Sequence, residues 1–278
     1  MKPEKNRIAS QFSRYAQEYD GHAVVQKRMA HRIIETLDEH GVEAKEILEV
    51  GCGTGYLTQL LVERFPHACV TAIDFAKGMI KLAQGRVDSH VRFQMEDIEI
   101  HSVDWERYDL IAGNAVIHWF HHAESTLRQL VNGLKPGGFM VCSAFGPDTL
   151  KELDWVYQHI TQAVGIAHGQ KVKTLRTMEE WEKIYRNVGI CNLASLQCWH
   201  RIGYSCVREL LDSIRAMGVV AIRGDDQPIS LFQSSHIMEE IIHRYKRAFR
   251  NVDGGVYATY QLIQLYGWKR DERLFLLK

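Results

Sequence analysis

The run Ile47-Leu48-Glu49-Val50-Gly51-Cys52-Gly53-Thr54-Gly55 constrains the fold of this chain more than any other stretch, because a buried-strand pattern passes straight into alternate glycines. Ile47, Leu48 and Val50 suit the first central strand of a parallel sheet. The glycines let the backbone turn sharply and approach a ligand where a side chain would collide. Leu57, Leu60, Leu61 and Phe65 then recur on one face, which predicts a helix over 56–65 with its N-terminus pointing at the ligand. The expected architecture is an open α/β sheet with its ligand at the carboxyl ends of the strands.

The spacing distinguishes two versions of that site. A dinucleotide fold places G-x-G-x-x-G around a pyrophosphate, whereas here Glu49 precedes glycines at 51, 53 and 55. A carboxylate in that place repels phosphate and suits a cation such as the amino-acid ammonium of S-adenosylmethionine. The next apolar run, Val70-Thr71-Ala72-Ile73, ends in Asp74, where a carboxylate can accept from both ribose hydroxyls.

At 278 residues the chain exceeds a minimal sheet domain, so a second small domain or sizeable insertions are expected. Lys and Arg number 34 and Asp and Glu 34, so no global field draws the chain to nucleic acid or to an anionic membrane. The six cysteines, Cys52, Cys69, Cys142, Cys191, Cys198 and Cys206, lack metal-type pairing and read as reduced core thiols. No apolar signal core follows the start, and no run approaches membrane length, which suggests a soluble, cytoplasmic protein.

Taken in order, periodicity predicts helices over 8–19 and 24–37, the second with Val25, Met29, Ile33 and Leu37 at intervals of four. The end of the first brings together Tyr15, Tyr19, Asp20 and His22, either as a cover over the ligand or as a packed helix cap. A helix over 75–86 starts beside the ligand's base, and a strand over 91–95 delivers Asp97 and Ile98. Asp97 could accept from an adenine amine while Ile98 covers the ring. The strand over 108–113 ends at Asn114, on the same edge as Glu49 and Asp74. His118 and Trp119 follow; His118 reads equally as a base at the pocket mouth or as a packing histidine.

A helix over 125–134, a stop at Lys135-Pro136-Gly137-Gly138 and a strand over 139–144 complete the regular alternation. Beyond it come a helix over 148–164, a loop over 165–173 and a helix to 188 opened by the capping box Thr177-x-x-Glu180. A strand over 193–204, helices over 205–217 and 235–249 around a polar turn at 223–228, and a last antiparallel strand over 256–266 follow. We divide the chain into an N-terminal helical cover (1–40), a ligand-binding core (41–145) and a completing part (146–278). Two insertions in the last part, about 146–176 and 205–250, would cover the substrate. They hold Lys171, Lys173, Arg176, Arg208, Arg215, Arg223, Arg244, Lys246, Arg247 and Arg250.

Through Glu49-Val50-Gly51-Cys52-Gly53-Thr54-Gly55, Asp74, Asp97 and Leu134-Lys135-Pro136-Gly137-Gly138, residues 47–144 resemble the class I S-adenosylmethionine-dependent methyltransferases. The resemblance implies a Rossmann-like seven-stranded sheet with helical lid insertions. A narrower likeness appears in the flanks. Residues 12–23, His118-Trp119, residues 145–153, 210–218 and 255–267 resemble the malonyl-acyl-carrier-protein O-methyltransferases of biotin synthesis. That family commonly has Gln where His118 stands and Ala where Tyr15 stands.

The resemblance implies methylation of the free carboxylate of a malonyl thioester, borne on the phosphopantetheine arm of an acyl-carrier protein with an acidic helix. S-adenosyl-L-methionine would be consumed and S-adenosylhomocysteine released, with no metal. Expected cofactor contacts are Tyr15, Glu49, Gly51, Cys52, Gly53, Gly55, Asp74, Phe75, Met79, Asp97, Ile98 and Asn114. Tyr19, His22 and His118 are candidates to orient the carboxylate, and Trp119, Phe145, Arg176, Arg208 and Arg215 to meet substrate or partner. Methylation of a small carboxylate or a quinone precursor, and non-catalytic cofactor binding, are the alternatives.

Overall fold

A computed structural model describes residues 3–87, 90–163, 175–218 and 235–271. The expected loop over 165–173, with Lys171 and Lys173, and the turn at 223–228, with Arg223, lie outside them. Seven strands form one sheet: β1 (Glu46–Val50), β2 (Cys69–Asp74), β3 (Val91–Met95), β4 (Tyr108–Gly113), β5 (Leu134–Phe145), β6 (Ile190–Tyr204) and β7 (Val256–Lys269). Their order is β3-β2-β1-β4-β5-β7-β6, with β1 to β5 parallel. β7 enters between β5 and β6. Gly146 N–H donates to Gln261 O, and Leu150 N–H, further along the chain, donates to the earlier Thr259 O, so this stretch of β7 runs opposite to the segment leaving β5.

Two compact units are distinguished, and β6 and β7 contribute to both. The first comprises Met1–Ala144, Arg176–Gln197 and Ile263–Lys278. It holds α1 (Pro3–His22), α2 (Val24–Glu39), α3 (Tyr56–Arg64), α4 (Lys77–Arg86), α5 (Ala123–Gly133) and α7 (Met178–Asn187). The central strands read as unbroken apolar runs because helices cover both faces. Ile47, Leu110, Phe139 and Val141 face Ile33, Leu37, Leu57 and Leu61 of α2 and α3. Their neighbours Leu48, Ile111, Met140 and Cys142 face Leu127 and Leu130 of α5 and Trp181 and Tyr185 of α7. The capping box that opens α7 is formed in both directions, with Thr177 Oγ1 accepting from Glu180 N–H.

The second unit, Phe145–Leu175 with Cys198–Leu262, holds α6 (Lys151–Ala163), α8 (Val207–Ala216) and α9 (Ser235–Ala248). α9 packs on α6 and α8, burying Ile241 and Tyr245 together with Val156 and Leu210. Glu152, 3% exposed, accepts from Thr259 N–H at 3.0 Å. The Tyr204 and Tyr260 hydroxyls lie 2.9 Å apart.

Two sequence expectations need correction. The first helix is one span from Pro3 to His22, longer than 8–19, because Lys5 in its polar first turn is buried in tertiary ion pairs that periodicity does not register. The cysteines form no disulfide, yet only Cys52 and Cys142 are buried; Cys69, Cys198 and Cys206 are exposed and Cys191 is intermediate. Strand membership did not place them inside, since Cys69 opens its strand and Cys198 lies on the outer part of edge strand β6. Among the described residues no helix is long and apolar enough to cross a membrane.

Candidate active site

The turn after β1 is built by backbone geometry. Gly51, Gly53 and Gly55 have φ of 70°, 54° and 81°, the left-handed region in which a side chain is disfavoured. A Cβ on Gly51 would also run into Val116. Gly51 and Cys52 donate to Ile73 O at 2.8 and 3.1 Å, which ties the turn to the end of β2. Asp74 then accepts from Gly53 N–H at 2.9 Å on one oxygen and from Ala76 N–H at 2.8 Å on the other.

Two cavities open on either side of this turn and share Gly51. One is lined by Asp74, Phe75, Asp97, Ile98, Trp119 and, from α1, Lys5. The other is lined by Tyr19, Gln26, Glu49, Cys52, Gly53 and Asn114. Glu49 is 1% exposed, and its Oε2 has no hydrogen-bond partner among the described residues; Gln26 Oε1 is a second buried orphan there. Burial raises the Glu49 carboxyl to about 8 and that of Asp74 to about 6. The orphan Glu49 acceptor makes its cavity a place for a cation, and Asp74, although it holds two backbone N–H groups, has acceptor capacity left for hydroxyl donors in the other.

α1 closes over this site. Its Ser13 meets α4 where Gly78 leaves room: Gly78 N–H donates to Ser13 Oγ at 3.0 Å, and a Cβ on Gly78 would lie 2.6 Å from Ser13 Cα. Phe12 stands edge-on to Tyr19, Phe75 and Trp119, with ring centroids 5.4 Å apart in the last pair. Thr54 Oγ1 donates to Asp20 Oδ1 at 2.7 Å, and Arg86 pairs with the other oxygen of Asp20. Burial raises the Tyr19 pKa above its ordinary value, and the charges of Asp74 and Asp20 add to this, so the group is a neutral phenol at physiological pH. At the other end of α1, Lys5 Nζ lies 2.5 and 2.7 Å from the two oxygens of Asp97 and 2.5 Å from Glu99. Burial alone would raise the Glu99 carboxyl; Lys5 and the N–H groups of His122 and His121 outweigh it and hold the group at about 2.

The cavities thus gather Tyr19, Glu49, Gly51, Cys52, Gly53, Asp74, Phe75, Asp97, Ile98, Asn114 and Trp119. Other expected site residues stand elsewhere. Gly55 caps α3 beside Ala83, and Met79 packs with Ala16 and Ala76. Tyr15 lies under Arg14 and does not line either cavity, nor does His22. His118 is buried in the short helix Ile117–Trp119. Phe145 is buried against Tyr260 in the second unit. Arg176 stacks over Trp181, Arg215 pairs with Asp212 at 3.0 Å, and Arg208 is exposed on α8. Sequence reading overlooked Lys5, Gln26 and Val116, whose places depend on which helices cross above the sheet. Spacing carries no signal for them.

The strand order, the glycine turn behind a buried acid and the acid ending β2 define a class I S-adenosylmethionine-dependent methyltransferase. Residues 47–138 match a family model described as a methyltransferase domain. The YcgJ protein of Bacillus subtilis has the same fold at a TM-score of 0.58 and 17% identity, over 87% of this chain and 98% of that one. Relatives of known name are more similar in sequence. A malonyl-acyl-carrier-protein O-methyltransferase of Paenibacillus sp. JDR-2 is 32% identical over 277 residues, covering 96% of this chain and 99% of its own. One of Acetivibrio thermocellus is 34% identical over 283 residues, covering 96% and 95%. The chain belongs to the malonyl-acyl-carrier-protein O-methyltransferase family.

Proposed function

We propose that this protein methylates the free carboxylate of malonyl-acyl-carrier protein, an early step toward the pimeloyl chain of biotin, releasing S-adenosylhomocysteine. The observation that carries the reading is the extent of the likeness. It runs through 96% of the chain, well beyond the 47–138 core that methyltransferases of many substrates share. The residues fit the cofactor: the orphan Glu49 carboxylate suits its ammonium, Asp74 its ribose hydroxyls, and Asp97 with Ile98 its adenine. Bound there, it supplies an electrophilic methyl group on a sulfonium.

The protein's own task is to orient and to exclude water. A carboxylate with an ordinary pKa of about 4 is already ionised at neutral pH, so no general base is needed. The Tyr19 phenol, still protonated at neutral pH, would donate to one carboxylate oxygen and aim the other. A neutral donor serves better than a tight ion pair, because the nucleophile loses charge toward the transition state. That none of the six cysteines forms a disulfide supports a reducing, cytoplasmic setting.

Labelled S-adenosylmethionine tests the reaction against malonyl-carrier protein, malonyl-CoA, free malonate and a quinol precursor; label on the quinol alone overturns the proposal. Tyr19→Phe is expected to lower kcat about tenfold or more with cofactor affinity unchanged, the signature of a positioning group. An equal loss of folding stability without a rate effect would instead make Tyr19 a packing residue. Lys5 holds both Asp97 oxygens. Lys5→Met frees that acceptor, and S-adenosylhomocysteine is expected to bind about 3- to 10-fold more tightly, on the scale of one hydrogen bond. Weaker binding in a titration would show that Lys5 braces the ligated site.

A further inference from the structure

The second unit carries a face that methyl transfer leaves unused, at the corner where α9 ends and β7 begins. The corner is held closed by its own backbone. Phe249 N–H donates to Tyr245 O at 2.8 Å, Asn251 N–H to Gly255 O at 2.8 Å, and Arg250 bridges Val256 in antiparallel fashion. The Tyr245 hydroxyl donates to Tyr257 O at 2.9 Å, pinning the strand to the helix. At its apex Val252 is wholly exposed.

Rings line the corner in an unbroken ladder. His159 stacks on Trp155 at 3.8 Å between centroids, Trp155 meets Phe249 edge-on at 5.4 Å, and Phe249 meets Tyr257 at 6.1 Å. The Arg201 guanidinium lies 4.7 Å over Tyr257. Trp155 is 42% exposed, and Trp199, two positions before Arg201 on the same side of β6, is 48% exposed.

The cations here differ from others in the unit. Arg215 and Arg244 are neutralised by Asp212 and Glu240. Arg201, Lys246, Arg247 and Arg250 are exposed and have no carboxylate partner among the described residues. Lys246, Arg247 and Arg250 flank Phe249 in the chain, so positive charge and the aromatic ladder share one corner, where Asp253 is the nearby acid in sequence. Exposed tryptophan beside unpaired arginine is the composition of an interface centre, and its charge calls for an acidic partner.

We propose that this corner, with Trp155, Phe249, Tyr257 and the cations Arg201, Arg247 and Arg250, docks the acidic helix of the acyl-carrier protein. The proposal rests on the substrate reading above. It moves the docking surface away from Arg176, which is spent on Trp181, and Arg215, which is spent on Asp212.

The test uses the full chain, malonyl-carrier protein as substrate, and S-adenosylhomocysteine titration as the check that the cofactor site is intact. Arg201→Glu, Trp155→Ala and the double variant Arg247→Glu/Arg250→Glu are each expected to raise KM for the carrier about 5- to 30-fold, with kcat and S-adenosylhomocysteine affinity within about twofold of wild type. Added salt should raise the wild-type KM and leave the double variant nearly flat. Unchanged KM in all three, or a loss shared equally by KM and cofactor affinity, overturns the docking face while carrier methylation by the wild type still upholds the function. A wild type that leaves malonyl-carrier protein unmethylated overturns the functional reading itself, and the docking face with it.

Discussion

Replacement of Asp74 by alanine is expected to weaken S-adenosylhomocysteine binding by about 1–3 kcal/mol, roughly 5- to 150-fold, the value of charge-assisted hydrogen bonds lost from a partly buried site. Two effects combine at this residue. On the proposed reading its carboxylate accepts from the ribose; in the structure it holds Gly53 N–H at 2.9 Å and Ala76 N–H at 2.8 Å, so it fixes both the glycine turn and the start of α4. Asp74→Asn keeps one oxygen acceptor and is expected to lose less. Calorimetry on both variants, with circular dichroism to show the fold retained, separates the contributions. Unchanged affinity in Asp74→Ala would remove the ribose assignment.

The second large effect is a pH dependence set by Glu49. Its carboxyl is raised from an ordinary 4.5 to about 8 by burial. Between these values the unfolded chain has released the proton while the folded chain keeps it, so the folded state binds more protons and stability falls as pH rises through this window, levelling above pH 8. Asp74 adds the same sign between its ordinary 3.8 and about 6. A cationic ligand reverses the preference, because it requires the ionised acid. Binding of S-adenosylhomocysteine should therefore expel a proton below pH 8, with affinity rising up to about tenfold per pH unit between 6 and 8. Calorimetry in buffers of different ionisation enthalpy reads the proton directly. Glu49→Gln is expected to flatten the dependence and to lose about 1.5–3 kcal/mol of binding at pH 8.5. A profile equally steep in the variant would assign the titration to another group.

Local pattern was enough for the architecture because the physics there is local. Apolar runs at 47–50, 70–73 and 108–113, separated by helical periodicity, leave a parallel sheet covered on both faces as the consistent solution. Alternate glycines behind Glu49 fixed the turn, since backbone in the left-handed region needs glycine whatever surrounds it. The register of Glu49, Asp74 and Asn114 followed as well, because every parallel strand delivers its last residue to the same edge.

What the tertiary structure decided depends on groups distant in sequence. Lys5 reads as part of a solvated polar start, and only the crossing of α1 over the sheet brings it to Asp97, 92 positions away. His118 and Trp119 are neighbours in the chain, yet the short helix at 117–119 sends the indole into a cavity and the imidazole into the interior. The cationic stretches divided in the same way. Spacing gives Arg176, Arg215 and Arg247 the same appearance, while burial and pairing occupy the first two and leave the third available. A charge's partner is set by three-dimensional proximity, and sequence periodicity does not encode it.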